Sequence, residues 1–356
     1  MSASLADSPS HQKVRSLTVE AWPESDRKAW NAACQPAARL KRGGAAGHLK
    51  PVTRQVHERH YGNFLGCLDR NGLLRRDAPA AANVTPENVD VYLAEAKARM
   101  SSTTVHASIC CLRGAARYMV PDLDFAWLAE IGKDLALVAQ PRSKFDRVVL
   151  PERLIEAGLA LIQEAEHSQT MTKLAQAIQV RNGLMVAMLG FHPIRRKNFA
   201  ALEIGRSLVK IRGRWWIILS AAETKENRAD ERRVNKLLIP FIDRYLDRYR
   251  PVLMRPDSPT SALWLSSSQA ARLADKYVAT LIGATTLSTV GVKLSPHLFR
   301  TSAASAAAVY GGDNPYLGSA VLHNADPRVT LEHYNRATSL TAAESFRQLI
   351  RQYEKK

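Results

Sequence analysis

The sequence is short of acid. Its 33 Asp and Glu stand against 50 Lys and Arg, leaving a formal charge of +17 at pH 7 over 356 residues. An excess of that size points to a polyanionic partner. A membrane surface would call for a Lys-rich amphipathic helix, and the sequence has none. Nucleic acid is the better match, because each phosphate neutralised by a cation releases counterions and adds affinity whatever the base sequence. Cysteine is scarce too. Cys34, Cys67, Cys110 and Cys111 lack metal-ligand spacing, and the adjacent pair is poorly placed to bridge, which fits a reducing cytoplasm. No apolar run approaches a membrane span, and the opening "MSASLADSPSHQKVRS" has no apolar signal core. The expectation is a cytoplasmic, nucleoid-associated protein with no membrane partner. Internal repeats, a Walker loop, a zinc-ligand cluster and a constellation of carboxylates are also lacking, so no cofactor and no metal are expected.

What is present divides into segments. Residues 1–52 are rich in Ala, Ser, Pro and Gly and run into "ARLKRGGAAGHLKPVTR", whose basic residues face no acid. They read as a basic, flexible arm with one short helix near "ESDRKAWNAAC". Residues 53–140 carry helical periodicity. "TRQVHERHYGNFLGCLDRNG" spaces its apolar residues at three and four, and "VTPENVDVYLAEAKARM" opens with Thr85 as cap and Pro86 at the first helical position. "STTVHASICCLRGAARYM", with His106, Arg113 and Arg117, and "LDFAWLAEIGKDL" complete four helices suited to gripping DNA. His57 and His60 have no third ligand at a useful spacing and read as surface or DNA-facing groups.

Pro141 and Pro151 bound a charged linker, residues 141–150. Helices are expected over about 151–166 and 172–190. "SLVKIRGRWWIILS" then alternates around a Gly213 turn, with "RRVNKLLIP" as pairing partner. A helix near 240–250 follows, and helix is expected from 267 to the end. The fold class is therefore mainly α with a small β-sheet.

The segment "SPHLFRTSAASAAAVYGG" sets His297 and Arg300 one helical turn apart on a helix otherwise built of Ala and Ser. The small residues let the helix seat deeply, and the two cationic or donor groups are aimed at something anionic. An isolated triplet of this kind also arises by chance as a surface His with a solvated Arg. Its company changes its weight. Upstream lie Arg195 in "MLGFHPIRRKNFAALEI" and Lys225 in "AAETKENRADERRV"; downstream lie His323 and, eleven residues later, Tyr334 in "AVLHNADPRVTLEHYNRAT".

Arg, Lys, HxxR, His, Tyr, in that order and in these contexts, resembles the tyrosine recombinases, the phage-integrase type of site-specific recombinase. The resemblance covers about residues 180–340, and the helical unit before it looks like the family's core-binding, SAM-like domain. It implies an N-terminal helical domain over 53–140 and a catalytic domain over 151–356. It assigns the first arginine to Arg195, with Leu202 packing beneath it and Arg196 as the competing register. It assigns the hairpin lysine to Lys225 ahead of Lys210 and Lys236, the HxxR pair to His297 and Arg300, the second histidine to His323 and the nucleophile to Tyr334. Three departures stand out: Asn198 where an acid is usual, Leu322 where a Gly is usual, and a slightly long segment from His323 to Tyr334.

The chemistry of these groups is coherent. Two guanidiniums can fork onto the non-bridging oxygens of a phosphodiester. A free phenol titrates near about 10, so Tyr334 needs neighbouring cations and a histidine to take its proton. Lys225 can protonate the departing 5′ oxygen. The product is a 3′-phosphotyrosyl bond that another strand's 5′ hydroxyl can reverse, serving integration, excision or resolution of a mobile element or replicon. The resemblance further implies duplex DNA and a homo-oligomer on it, a tetramer in the synapse, with accessory DNA-bending or directionality proteins as additional partners. Phe346, Leu349, Ile350 and Tyr353 form one helical stripe that either covers the chain's own core or docks on a neighbouring protomer. The alternative functions are a DNA-binding relative that no longer cuts and a type IB topoisomerase.

Overall fold

A computed structural model describes residues 15–38, 42–140, 147–255, 257, 259–268, 271–310, 314 and 316–322. The chain divides into two compact units, Met1–Ser143 and Lys144–Lys356.

The first unit is helical: α1 Glu24–Ala33, α2 Pro51–Arg70, α3 Pro86–Arg99, α4 Ser102–Met119 and α5 Ala126–Leu137. Local chemistry sets several of these starts. Pro51 and Pro86 sit in the first turn, where a missing N–H costs nothing. The Thr85 side chain accepts from the Asn88 N–H and Ser101 from Thr104, each satisfying a donor that the first turn leaves without a partner.

Residues 15–38 and 42–50 depart from the expected flexible arm. Trp22, Trp30, Ala33 and Ala46 are buried in the same core as Tyr61, Phe64, Leu65, Tyr92 and Ile109. The Trp22 ring lies 4.8 Å from that of Tyr61, and the indole N–H of Trp30 donates to Glu58 at 3.0 Å. Asp26, fully buried, accepts from the Tyr61 hydroxyl at 3.0 Å and from the Ala81 N–H at 2.7 Å. The Leu17 N–H donates to the Gly62 carbonyl on α2, and a Cβ at Gly62 would stand 2.2 Å from the Leu17 carbonyl oxygen, so only glycine permits this approach. Two large indoles outweigh a composition that otherwise looks unstructured. The expected surface histidines are also drawn inward. His57 Nδ1 pairs with the Cys111 carbonyl, and buried His60 pairs with the Ser108 hydroxyl, both at 3.0 Å.

The second unit begins with a helical pair, α6 Pro151–His167 and α7 Lys173–Phe191, the latter capped by Thr172 through the Ala175 N–H. A Cβ at Gly158 would meet the Gly183 carbonyl at 2.6 Å, so the two helices touch backbone to backbone. Short α8, Arg196–Ala200, follows at once. The sheet has the order β1 Leu208–Ile211, β2 Arg214–Leu219 and β3 Asp230–Arg233, antiparallel throughout. Arg212 and Gly213 both take positive φ, the two-residue turn whose twist suits a tight hairpin. Leu208, Trp215, Ile217 and Leu219 enter the core.

β3 starts and ends earlier than the expected "RRVNKLLIP". Asn235 accepts from the Leu237 N–H and turns the chain into a 3-10 segment, and Pro240 then opens α9, Ile239–Arg244. A π-helical turn, Tyr245–Tyr249, joins α9 to α10 Arg250–Leu253, where Pro251 removes an N–H from the ladder. Helix does not begin at 267. Residues 267–268 form a turn, the antiparallel bridge Leu265↔Arg272 brings the chain back on itself, Glu203↔Ala262 ties the preceding residues to the start of the sheet region, and α11 runs Asp275–Val290, ending at left-handed Gly291. Finally α12, Pro296–Tyr310, packs against α13, Leu317–Leu322. No helix among the described residues is long and apolar enough to cross a membrane.

Candidate active site

The end of α7 delivers the first functional side chain. His192 is buried and accepts from the Asn235 N–H at Nε2, 3.2 Å away. Burial, helped by the nearby Arg232 cation, pushes its pKa down to about 4, so the ring is neutral. The next residue, Pro193, turns its carbonyl to α12. Arg195 then caps α8 in an extended conformation and reaches back to Glu226 at 2.7 Å, both side chains 27% exposed. Arg196, the competing register, instead points to solvent and pairs with Asp275 on α11.

Arg300 lies on α12 with only 8% of its surface exposed. It donates from Nη1 to the Pro193 carbonyl at 2.6 Å and from Nη2 to the Leu322 carbonyl at 3.0 Å. Burial lowers its pKa to about 10, and the cations of Arg195 and Arg232 add to that effect while Asp230 and Glu226 oppose it. Arg300 therefore stays charged at neutral pH, in surroundings that already hold two other guanidiniums. Asp230 and Arg232, two apart on β3, share one face of the strand and form a bidentate pair at 2.7 and 2.8 Å. Three guanidiniums gathered with two carboxylates leave a net positive, partly desolvated site that attracts an anion.

Of the six residues singled out in the sequence, Arg195 and Arg300 come within electrostatic reach of each other. Lys225 sits on the β2–β3 connection beside Glu226, exposed, and the hydroxyl of buried Thr224 braces that turn by accepting from Arg228 N–H and donating to Arg228 C=O. His297 is exposed one turn before Arg300. His323 and Tyr334 lie outside the described residues, as does the C-terminal stripe Phe346, Leu349, Ile350 and Tyr353. Asn198 and Leu322, the departures from the family pattern, are both buried. The sequence reading missed Glu226, Asp230 and Arg232. The signal for Asp230 and Arg232 was the "DERR" alternation, which sets opposite charges at i and i+2 on a strand shortly after the lysine turn; Glu226 is marked only by its place next to Lys225. Among the described residues no cluster of His, Cys, Asp and Glu is arranged to hold a metal ion.

The buried histidine makes stability depend on pH. In the unfolded chain His192 titrates near the ordinary 6.5, whereas folded it titrates near 4. Between these values the unfolded state binds more protons, so stability is full above 6.5 and falls as pH drops. We expect a loss of about 2 kcal/mol between pH 7.5 and 5 from this group. His192→Gln, which keeps an acceptor for Asn235, should flatten the profile in urea melts at the two pH values.

No protein-family model and no curated protein matches the sequence. Solved structures do match the fold. One is the XerH site-specific recombinase bound to palindromic difH substrate in a post-cleavage complex, 13% identical, covering 81% of this chain and 79% of that one with a TM-score of 0.56. Another is the same recombinase in a pre-cleavage complex with difH, 13% identical, covering 82% and 79% with a TM-score of 0.53. With its helical first unit and its three-stranded sheet set among the helices of the second, the chain has the tyrosine-recombinase fold.

Proposed function

We propose that the chain is a site-specific DNA recombinase that cuts and rejoins duplex DNA through Tyr334. The observation that supports this most is the burial of Arg300 within electrostatic reach of Arg195, since a desolvated guanidinium held near a second cation is costly to build and is suited to stabilising charge on a phosphate. Arg195 and Arg300 hold the two non-bridging oxygens. The Tyr334 phenol oxygen attacks the phosphorus, its proton passing to a histidine, His297 or His323. The bond from phosphorus to the 5′ oxygen breaks, and that oxygen leaves as a hydroxyl with a proton from Lys225. The phosphotyrosyl ester conserves the energy of the broken bond, so a second strand's 5′ hydroxyl restores DNA and frees Tyr334 without an external energy source. Glu226 occupies Arg195 as a carboxylate; in this reading the phosphate replaces it.

The partner is duplex DNA, engaged by both units and held by the excess of cations. The active assembly is a homo-oligomer, a tetramer at the synapse, acting in the cytoplasm for integration, excision or resolution of a mobile element. Affinity for a duplex should fall by about 10³-fold or more between 50 and 200 mM salt if six or more phosphates are contacted, as read by gel shift. The test of function is a nicked duplex drawn from the DNA that flanks the chain's own coding sequence. An SDS-stable adduct lost in Tyr334→Phe supports the reading. Tight binding without an adduct would mark a non-catalytic binder, and relaxation of any supercoiled plasmid a topoisomerase.

A further inference from the structure

Two guanidiniums end on consecutive peptide carbonyls. Arg232 of β3 donates from Nη1 to the Val321 carbonyl at 3.0 Å, and Arg300 of α12 donates from Nη2 to that of Leu322, also at 3.0 Å. These are the last two described residues of α13, and the next residue in the sequence is His323. Charge-assisted hydrogen bonds from two guanidiniums to adjacent carbonyls fix the backbone at this point.

Arg232 is itself rigidly held. Its Nε and Nη2 donate to the two carboxylate oxygens of Asp230 on the same face of β3, and the pair is 9% and 10% exposed. The fork therefore ties strand to helix: one edge rests on Asp230 and another on Val321. Lysine offers no equivalent, since a single ammonium has no planar fork to span both partners. Other buried arginines in the unit also end on carbonyls, Arg181 on Leu265 and Arg250 on Ala262. Arg232 differs in that the carbonyl it holds lies two residues before a proposed active-site histidine, and in that it shares the electrostatic surroundings of Arg300.

We infer that Arg232, braced by Asp230, is a positioning residue: together with Arg300 it fixes the backbone at Val321 and Leu322, the two residues that precede His323 in the sequence. It acts through His323, and its own donors are engaged by Asp230 and Val321. The inference rests on the recombinase reading.

A double-mutant cycle separates this role from general destabilisation. Single-turnover adduct formation on the nicked flanking duplexes, at saturating DNA, is compared for the unmodified chain, Arg232→Ala, His323→Ala and the double variant. Arg232→Ala should slow cleavage by about 10- to 100-fold, the scale of a misplaced reacting group, with duplex affinity nearly unchanged. On the His323→Ala background the same substitution should cost almost nothing further. Should Arg232→Ala fail to fold, Arg232→Lys keeps a cation beside Asp230 while losing the fork, and should show the same slowing and the same disappearance of the effect. Cleavage within about twofold of the unmodified rate, or a slowing that multiplies in full with that of His323→Ala, would overturn the inference. Absence of any adduct from the unmodified chain would instead count against the recombinase reading itself.

Discussion

Replacing Arg300 by alanine should lower the rate of adduct formation by about 10²- to 10³-fold, the usual cost of removing one preorganised donor from a developing oxyanion. The substitution also strips donors from the Pro193 and Leu322 carbonyls, and a buried acceptor left without a partner costs about 1–3 kcal/mol. A fall in stability is therefore expected as well, and the rate must be compared with urea melts of the same variant. Arg300→Lys separates the two effects. It retains charge in the cluster yet cannot fork onto both a carbonyl and a phosphate, so it should recover part of the stability and little of the rate. A variant that melts well below the parent while cleaving at the parental rate would show that Arg300 is structural only.

Trp30→Ala carries the second large effect, on stability. The indole is 1% exposed, packs near Trp22 with ring centroids 6.3 Å apart, and donates to Glu58. Removing a buried Trp typically costs about 3–5 kcal/mol, a large share of what a domain of this size possesses. The loss should appear as a lower urea midpoint of the first unit. The outcome bears on function, because residues 15–38 and 42–50 form part of the helical unit proposed to grip DNA, and a chain that starts at residue 51 should lose that unit's fold. Were these residues a mobile arm, both changes would leave the midpoint where it was.

The sequence made some features plain and hid others, for physical reasons. Thr85 followed by Pro86 marks a helix start because a cap and a missing donor belong at that place, and α3 begins there. The Gly213 turn is legible because few residues take positive φ next to one another, and β1 and β2 pair across it. The packing of residues 15–38 and 42–50 is not legible from composition: Ala, Ser, Pro and Gly look unstructured until Asp26, Trp22 and Trp30 find partners on α2 and near Ala81. The non-helical conformation of residues 262–268 and 271–273 is likewise set by a partner distant in sequence, the bridge from Glu203 to Ala262.

The site divides in the same manner. Arg300 is singled out by its spacing from His297 and Arg195 by the family resemblance, and the fold brings the two within reach of one another. Asp230 and Arg232 are an ordinary polar alternation until the register of β3 and the end of α13 bring their charges to the same place. Glu226 shows its role only when its carboxylate meets Arg195.

The most direct measurement is the identity of the covalent bond. Adduct formed on duplex DNA, digested with protease and nuclease and read by mass spectrometry, should carry a nucleotide 3′-phosphate esterified to the peptide containing Tyr334, and that species should be missing in Tyr334→Phe. A linkage through any other residue, a 5′-phosphotyrosine, or an adduct that survives in Tyr334→Phe would contradict the account.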